Sequence, residues 1–147
     1  MVTDIRIKKL RNTAKIPTRG SNNAAGYDLY ADIETPITIE PGSVMKIGTG
    51  ISTQLPPYMA ALIFPRSGLS TKKGLRLANC VGLVDPDYRG EYIVALYNDS
   101  EISQTVMPGE RIAQIVFSPF YEANFIETDE LNDTERGEGG FGASGQF

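Results

Sequence analysis

The chain has 147 residues, of which 41% are hydrophobic and 22% are charged, and its formal net charge at pH 7 is −4. This length predicts a single domain with a sizeable core, and the negative balance argues against broad binding to the phosphate backbone of nucleic acids. The sequence contains no histidine and only one cysteine, Cys80, which excludes Ser-His-Asp catalysis, histidine zinc sites and intrachain disulfides.

Catalysis, if any, must therefore use carboxylates, Arg, Lys, Tyr, hydroxyl groups or an oxygen-bound cation such as Mg²⁺. The N-terminal segment lacks the apolar region of a signal peptide, and no later apolar run is long enough to span a membrane. We expect a chain that has no membrane contact and acts inside the cell, in the cytoplasm or, for a eukaryotic or viral source, in the nucleus.

Short β-forming segments separated by Gly and Pro turns follow one another along the chain. The first strand is predicted around Ile5 and Ile7, and residues 66–74 are the best candidate for a short helix or irregular turn. Gly48 and Gly50 predict a bulge or bend within one β-rich run. Further strands are predicted at residues 24–31, 36–40, 44–55, 58–64, 104–107, 111–117 and 120–131. This spacing favours an all-β sandwich or jelly roll, with a β domain over residues 1–131 and a flexible glycine-rich tail over residues 132–147.

The segment from Cys80 to Leu96 carries the first candidate for chemistry. Two β-forming runs flank a loop that contains Asp85-Pro86-Asp87-Tyr88, which predicts a hairpin with a long turn. A carboxylate fixed at a strand end, as Asp85 is, suits a general base. Asp and Pro are also ordinary turn residues, so a purely structural role stays open.

Three further polar positions lie beside predicted strands. Asp28 is either a solvated strand residue or a functional carboxylate. Arg66, Ser67 and Gly68 end an apolar strand with a guanidinium, a hydroxyl and a flexible backbone, which suits an anion but also a surface turn. Gln114 lies in an apolar run and needs a hydrogen-bond partner, either backbone or ligand.

The C-terminal tail is rich in glycine, with five glycines between Gly137 and Gly145. Composition alone indicates a disordered tail. Arg136 and Phe141 also fit a closing lid, because the ring of Phe141 can stack on a base while Arg136 and the glycine amides meet phosphates.

Five motifs, taken together and in order, resemble those of the trimeric dUTP pyrophosphatases. They are Ala25-Gly-Tyr-Asp-Leu-Tyr-Ala31, Pro65-Arg-Ser-Gly-Leu-Ser70, Asn79 through Gly82 to Asp85-x-x-Tyr88-x-Gly90-Glu91, Gly109-Glu-Arg-Ile-Ala-Gln114 and Arg136-Gly-x-Gly-Gly-Phe-Gly142. The tail departs from the family at Ala143-Ser144, where Ser and Thr are usual, so one hydroxyl contact to phosphate is missing.

This resemblance implies a β jelly roll, or distorted β-barrel, that assembles as a homotrimer with each active site built from all three chains. It implies hydrolysis of dUTP to dUMP and pyrophosphate, which keeps uracil out of DNA and supplies dUMP for thymidylate synthesis. Asp85 is implied to activate the water that attacks the α-phosphorus, with Gln114 holding that water or a phosphate. Groups between Asn79 and Tyr92 are implied to bind the nucleoside, Asn79, Gly82 and Val84 at uracil and Tyr88 under the deoxyribose.

The resemblance also implies Mg²⁺ on the triphosphate, oriented by Asp28 through water. The implied phosphate-binding residues are Arg66, Ser67, Gly68, Gln114 and Arg136, while Phe141 and Gly142 belong to the closing tail. Two rival classes stay open at this point. A dCTP deaminase shares the fold, although the Asp85 hairpin favours attack on phosphorus, and a non-enzymatic regulator switched by dUTP would need the pocket without turnover.

Overall fold

The computed structural model of the protein describes residues 2–140. Within that range twelve strands and one short helix follow one another along the chain. The strands are β1 (Arg6–Lys9), β2 (Thr18–Arg19), β3 (Tyr27–Tyr30), β4 (Ile37–Ile39), β5 (Val44–Gly48), β6 (Ile51–Gln54), β7 (Met59–Phe64), β8 (Leu75–Leu77), β9 (Gly82–Val84), β10 (Ile93–Asn98), β11 (Gln104–Val106) and β12 (Arg111–Pro119). Helix α1 (Ser67–Lys73) lies between β7 and β8.

These strands form four sheets in which every pairing is antiparallel. The largest has five strands in the order β2-β3-β12-β7-β9, and a second has the order β5-β10-β8. Two smaller sheets pair β1 with β6 and β11 with β4. The predicted all-β class, a single domain of the jelly-roll or distorted-barrel type, is confirmed, as is the short helix after Arg66.

The core lies between these sheets and is built from aliphatic side chains. In β12, Ile112, Ala113 and Ile115 are fully buried, and the register with β3 shifts between Arg111 and Ala113, so the adjacent Ile112 and Ala113 are both buried. Strand β7 is paired along both edges, with β12 on one side and β9 on the other. Its almost continuous apolar sequence is explained by this central position.

The β-rich run over residues 44–55 bends where the sequence predicted. It divides into β5 and β6, which pair in different sheets, at a backbone that turns through Gly50 with a φ of 68°. Glycine is the residue that adopts this left-handed conformation without strain. Gly50 therefore allows the chain to turn from the sheet of β5 into the sheet of β6.

The predicted hairpin around Asp85 is wrong. Strand β9 pairs with β7, whereas β10 pairs with β5 and β8, so the loop between them connects two sheets. The turn residues were recognised correctly, but turn chemistry specifies a reversal of the chain and not the partner of each strand. Cys80, just before β9, is exposed and takes a left-handed backbone conformation with a φ of 63°.

The strand predicted over residues 120–131 is also absent from the described chain. Strand β12 ends at Pro119, and residues 120–140 follow as an arm without helix or strand. Its apolar side chains have no core to enter: Tyr121 is 98% exposed and Phe125 is 94% exposed. The boundaries proposed for the domain and the tail stay predictions.

Across residues 2–140, no helix is both long enough and apolar enough to cross a membrane.

Candidate active site

A cavity of about 230 Å³ lies beside β9 and the loop that follows it. It is lined by Ile63 of β7 and by all five of the residues predicted between the end of β8 and this loop: Asn79, Gly82, Val84, Asp85 and Tyr88. A Cβ atom added to Gly82 would lie 3.2 Å from the Cβ of Ile63, so the bare backbone of Gly82 lets β9 approach β7 closely. The structure thus brings these five predicted residues to one cavity.

Asp85 lies at the end of β9, where the backbone leaves the sheet. Its side chain is exposed at the cavity, and no salt bridge joins it to another charged side chain within residues 2–140. The backbone carbonyl of Asp85 accepts a hydrogen bond from the amide of Tyr88 at 3.2 Å, which forms the turn. A carboxylate that is free of a competing cation and open to the cavity can accept a proton from a bound water.

The ring of Tyr88 folds back over the loop beside Asp85. Its hydroxyl donates to the backbone carbonyl of Glu91 at 3.0 Å, and its ring stacks on Tyr92 with the centroids 6.5 Å apart. A Cβ atom added to Gly90 would lie only 2.2 Å from the Tyr88 hydroxyl oxygen. Glycine at position 90 is therefore what allows the ring to occupy this place.

Strand β6 holds the other end of the loop. The amide of Tyr92 donates to the carbonyl of Ile51 at 2.9 Å, and the hydroxyls of Tyr92 and Thr53 share a hydrogen bond of 2.5 Å. Ser52 donates to the carbonyl of Arg89 at 2.7 Å. Burial raises the pKa of the Tyr92 hydroxyl, against the opposing effect of the Thr53 bond. Tyr92 is thus a neutral anchor on which the Tyr88 ring rests.

A second polar group, the Asp28 cluster, is formed by Asp28, Arg66, Arg111 and Gln114. Asp28 is 8% exposed, and each of its two oxygens accepts from a different guanidinium. Arg66 Nε donates to Oδ1 at 2.8 Å, and an Arg111 Nη atom donates to Oδ2 at 3.1 Å. The alternative of a solvated Asp28 is therefore excluded, because the carboxylate is buried and paired.

Gln114 joins the cluster through strand register. On β12 it lies opposite Asp28 of β3 and opposite Phe64 of β7. Its Nε2 atom donates to the backbone carbonyl of Pro65 at 2.9 Å. Of the two partners predicted from the sequence, the backbone is therefore the one that Gln114 has. The amide oxygen lies over Gly26, where a Cβ atom would come within 2.7 Å of it.

Ser67 and Gly68 open helix α1 directly after Arg66. Amides in the first turn of a helix have no partner within the helix. In this helix the amides of Leu69 and Ser70 donate to the carbonyl of Arg66, which leaves the amides of Ser67 and Gly68 without a backbone partner among residues 2–140. Two unpaired amides beside two guanidinium groups and one carboxylate form a region that suits an anion.

Asp85 and the Asp28 cluster lie toward opposite ends of β7 in one chain. Val84 pairs with Ala61, so Asp85 comes next to Ala60, whereas Arg66 follows six residues after Ala60. At the usual rise of ~3.3 Å per residue, the two positions are separated by about 20 Å along the strand. A triphosphate is shorter than this spacing between Asp85 and Arg66, which argues against one chain bringing these two residues to the same phosphate.

The tail is described only as far as Gly140. Arg136 Nε donates to the carbonyl of Gly139 at 2.8 Å, within an exposed local turn. The structure does not bring Arg136 to either polar group of its own chain. Phe141 and Gly142, predicted as part of the lid, and the Ala143-Ser144 departure lie outside the described residues.

Sequence reasoning missed two contributions to the site. Arg111 lies in one of the five motifs but had no predicted role, and the available signal was a guanidinium at the start of a predicted strand, three residues before Gln114. Glu91 was likewise quoted without a role, although it also lines the cavity. Arg11, whose two terminal nitrogens donate to the two oxygens of Glu91, lies in a loop with no motif, so nothing in the sequence marked it.

The fold and these two groups of side chains define an all-β protein with a candidate site for a small polyanionic ligand. The family model described as dUTPase matches residues 12–145. Two curated relatives named deoxyuridine 5'-triphosphate nucleotidohydrolase are similar to the chain over most of its length. The one from Glaesserella parasuis is 46% identical and covers 95% of this chain and 93% of its own, and the one from Desulfitobacterium hafniense is 47% identical and covers 89% and 87%.

A solved structure of the Staphylococcus bacteriophage 80alpha dUTPase with dUPNHPP has a TM-score of 0.90 to this chain, at 27% identity. The match covers 98% of this chain and 99% of that one. The chain belongs to the dUTPase family of hydrolases.

Proposed function

We propose that the protein hydrolyses dUTP to dUMP and pyrophosphate by attack of water on the α-phosphorus. The observation that carries this proposal is the convergence of Asn79, Gly82, Val84, Asp85 and Tyr88 on one cavity. The names of the relatives and the analogue in the phage structure agree with dUTP as the substrate. Such an activity removes dUTP before uracil enters DNA and supplies dUMP, and its place of action is the cytoplasm.

In the proposed mechanism, Asp85 accepts one proton of the attacking water. The water oxygen forms a bond to the α-phosphorus, and the bond between that phosphorus and the bridging oxygen to the β-phosphorus breaks. Pyrophosphate leaves with the electron pair of that bond. A carboxylate oxygen is a suitable acceptor for this proton.

Nucleoside selection is assigned to the cavity itself. Uracil lies against the groups of Asn79, Gly82 and Val84, where close strands leave little space for the methyl group of thymine. The ring of Tyr88 lies under the deoxyribose and leaves no room for a 2′-hydroxyl. A ring already supported by Tyr92 can exclude this oxygen without first having to be ordered.

The Asp28 cluster is assigned to the phosphates. Arg66 and Arg111 are held in place by Asp28, so their remaining N–H groups are directed before a ligand binds. Ser67 and Gly68 add a hydroxyl and free amides, and Gln114 offers its amide oxygen to the attacking water. Fixed donors that face the charge of the transition state are an effective form of catalysis.

Mg²⁺ fits this site only through water. Residues 2–140 contain no group of three or more acidic, Cys or His side chains that could hold an ion directly. Both oxygens of Asp28 already accept from guanidinium groups, but a carboxylate can accept further hydrogen bonds, including those of metal-bound water. When bound on the triphosphate, the ion supplies charge neutralisation.

The proposed active unit is a homotrimer. The separation of about 20 Å between Asp85 and Arg66 along β7 argues that one chain supplies the Asp28 cluster and another supplies the cavity. The arm over residues 120–140 carries Arg136 away from its own core, with apolar side chains that find cover only on another surface. In this arrangement a third chain closes the site with Arg136 and Phe141.

The test is to incubate the purified protein with Mg²⁺ and dUTP, dCTP, dTTP or UTP in ¹⁸O-labelled water. We expect pyrophosphate from dUTP alone at a substantial rate, with the label in dUMP. Label in pyrophosphate would place the attack on the β-phosphorus, and ammonia from dCTP would show a deaminase. Binding of dUTP without product would favour a regulator.

A further inference from the structure

Three charged side chains from distant parts of the chain meet beside the cavity. Arg11, in the loop after β1, donates through Nε to an oxygen of Asp32 at 2.6 Å. Its two terminal nitrogens donate to the two oxygens of Glu91, at 3.2 Å and 2.5 Å. Arg11 thus uses three donors: Nε donates to Asp32, and the two terminal nitrogens donate to Glu91. We call these residues the Arg11 clamp.

The clamp is fitted closely against the bend between β5 and β6. Glu91 Oε1 also accepts from the amide of Gly50 at 2.8 Å. A Cβ atom at Gly48 would lie 2.4 Å from that same oxygen, and one at Gly50 would lie 2.2 Å from an oxygen of Asp32. These bonds hold the Glu91 side chain in one place, and the bond from Arg11 lowers the pKa of its carboxyl.

Glu91 is also the residue on which the Tyr88 hydroxyl rests. Its backbone carbonyl accepts from Tyr88 at 3.0 Å, while its side chain is held by Arg11 and Gly50. The Glu91 carbonyl lies in the same peptide unit as the amide of Tyr92, which donates to Ile51 of β6 at 2.9 Å. Strand β6 therefore holds one side of this peptide unit, and the clamp holds the Glu91 side chain on the other. Together they place the acceptor that the Tyr88 hydroxyl contacts.

The charge of the clamp also has a consequence. Glu91 lines the cavity, so an unpaired carboxylate there would repel an anionic ligand. Arg11 offsets that charge at close range. Position and charge both make Arg11 relevant to the ligand, although it does not line the cavity itself.

We propose that Arg11 is a positioning residue for nucleoside selection: acting through Glu91, it fixes the Tyr88 ring and so sets the preference for a deoxyribonucleotide over a ribonucleotide. This inference rests on the proposed function, because it assigns a further residue to the same site. It predicts an effect on substrate preference, which a purely structural salt bridge would not have. Loss of folded protein lowers the rates with dUTP and UTP by the same factor.

The experiment compares kcat/KM for dUTP and UTP in wild type, Arg11→Gln, Tyr88→Phe and the double variant. Arg11→Gln should lower the dUTP-to-UTP ratio about tenfold, the usual effect of one hydrogen bond, mainly through a higher kcat/KM for UTP. Tyr88→Phe, which removes the hydroxyl that contacts Glu91, should lower the ratio to a similar extent. The double variant should be no less selective than either single variant, because both changes interrupt the same connection.

The matched control is Arg76→Gln. Arg76 forms a salt bridge with Asp99 at 3.4 Å on an exposed surface and lines no part of the cavity. The same substitution there should leave the ratio unchanged. If Arg11→Gln does not fold, Arg11→Lys replaces it, since one ammonium cannot reproduce the three donors of the guanidinium.

A ratio within twofold of wild type in the folded Arg11 variant would overturn the inference, as would full additivity in the double variant. The wild-type assay distinguishes this failure from that of the proposed function. If the wild type hydrolyses dUTP and the ratio does not respond to Arg11, only the positioning role is wrong. If the wild type does not hydrolyse dUTP, the proposed function is wrong and the inference falls with it.

Discussion

The side chain of Arg66, which follows β7, is held by the carboxylate of Asp28 on β3 at 2.8 Å. Strand β12 lies between β3 and β7 in the sheet. Asp28 is the more deeply placed of the two, with 11% of its side chain exposed against 28% for Arg66. The pair links a strand near the beginning of the chain to the start of helix α1. It sets the direction of the guanidinium before any ligand is present.

Asp28→Asn should weaken both the fold and the binding of phosphates. Asn keeps the shape but accepts through one oxygen only, which leaves one guanidinium contact unmatched and costs about 1–3 kcal/mol. We expect a lower urea midpoint and a KM for dUTP raised by about tenfold, with a smaller change in kcat. An unchanged KM in a folded variant would show that Arg66 does not depend on Asp28 for its function.

Asp85→Asn should abolish turnover while leaving binding intact. Asn is nearly isosteric with Asp but does not accept a proton, and general base catalysis typically contributes about 10²–10⁴-fold. The loss should appear in kcat, with the dissociation constant of a non-hydrolysable dUTP analogue unchanged by calorimetry. A kcat within a few-fold of wild type would remove Asp85 from the role of base.

Tyr88→Ala should narrow the preference for dUTP over UTP. An apolar pocket alone rejects an added hydroxyl only weakly, by roughly a hundredfold, whereas a supported ring can fill the space at C2′. We expect the ratio of kcat/KM values to fall by about tenfold or more, chiefly through faster UTP hydrolysis. Should the ratio hold, the 2′-hydroxyl must be excluded by another part of the loop.

The Arg11 clamp should contribute to stability at neutral pH and lose that contribution in acid. The hydrogen bond from Arg11 lowers the pKa of Glu91 below its ordinary value near 4.5. The unfolded chain then binds more protons than the folded one as the pH falls through this range, so the free energy of unfolding decreases.

Because Arg11 is 45% exposed, solvent and salt reduce the effect. Urea unfolding between about pH 6 and pH 3 should show a shallower decline in Glu91→Gln than in wild type. Equal declines in the two proteins would mean that the ion pair between Glu91 and Arg11 does not contribute to the pH dependence of stability.

Two inactive proteins should complement each other if the site is shared between chains. Truncation after Glu135 removes the tail that carries Arg136, and Asp85→Asn removes the proposed base. Refolding an equal mixture should restore activity in roughly a quarter of the sites, half times half, because each working site needs the base and the tail from different subunits.

Mass spectrometry would verify that mixed trimers have formed. If each site used the tail of its own chain, every site would lack one part. Mixed trimers without dUTP hydrolysis would therefore contradict the three-chain site. Each parent protein, refolded alone, provides the background rate.

The sequence was sufficient for most strands and for the identity of the two polar groups, but not for the partners of the strands. The apolar run of β7 directly reports its burial between two neighbouring strands, and a glycine at position 50 directly reports a bend. The partner of β9 depends on contacts between residues distant in the chain, such as Ala61 with Val84. Local turn residues do not encode those contacts, so the hairpin was wrong.

The same limit applies to the site. Asp28 could be recognised as a carboxylate on a strand, but its two guanidinium partners come from positions 66 and 111 and meet only after β3 pairs with β12. Arg11 shows the limit most clearly, since its partners lie 21 and 80 residues away. Residues 120–131 of the arm were predicted as a strand because their pattern is amphipathic, and pattern alone does not supply an edge to pair with.

Cys80 offers a way to test the proposed trimer directly. It is the only cysteine in the sequence, its thiol is accessible, and it follows Asn79 at the cavity. A nitroxide attached there would place one spin on each protomer without further mutagenesis. Because three-fold symmetry makes all three separations equal, pulsed electron paramagnetic resonance of a closed ring would give a single distance peak. The same label would report, through its mobility, when a nucleotide enters the neighbouring cavity.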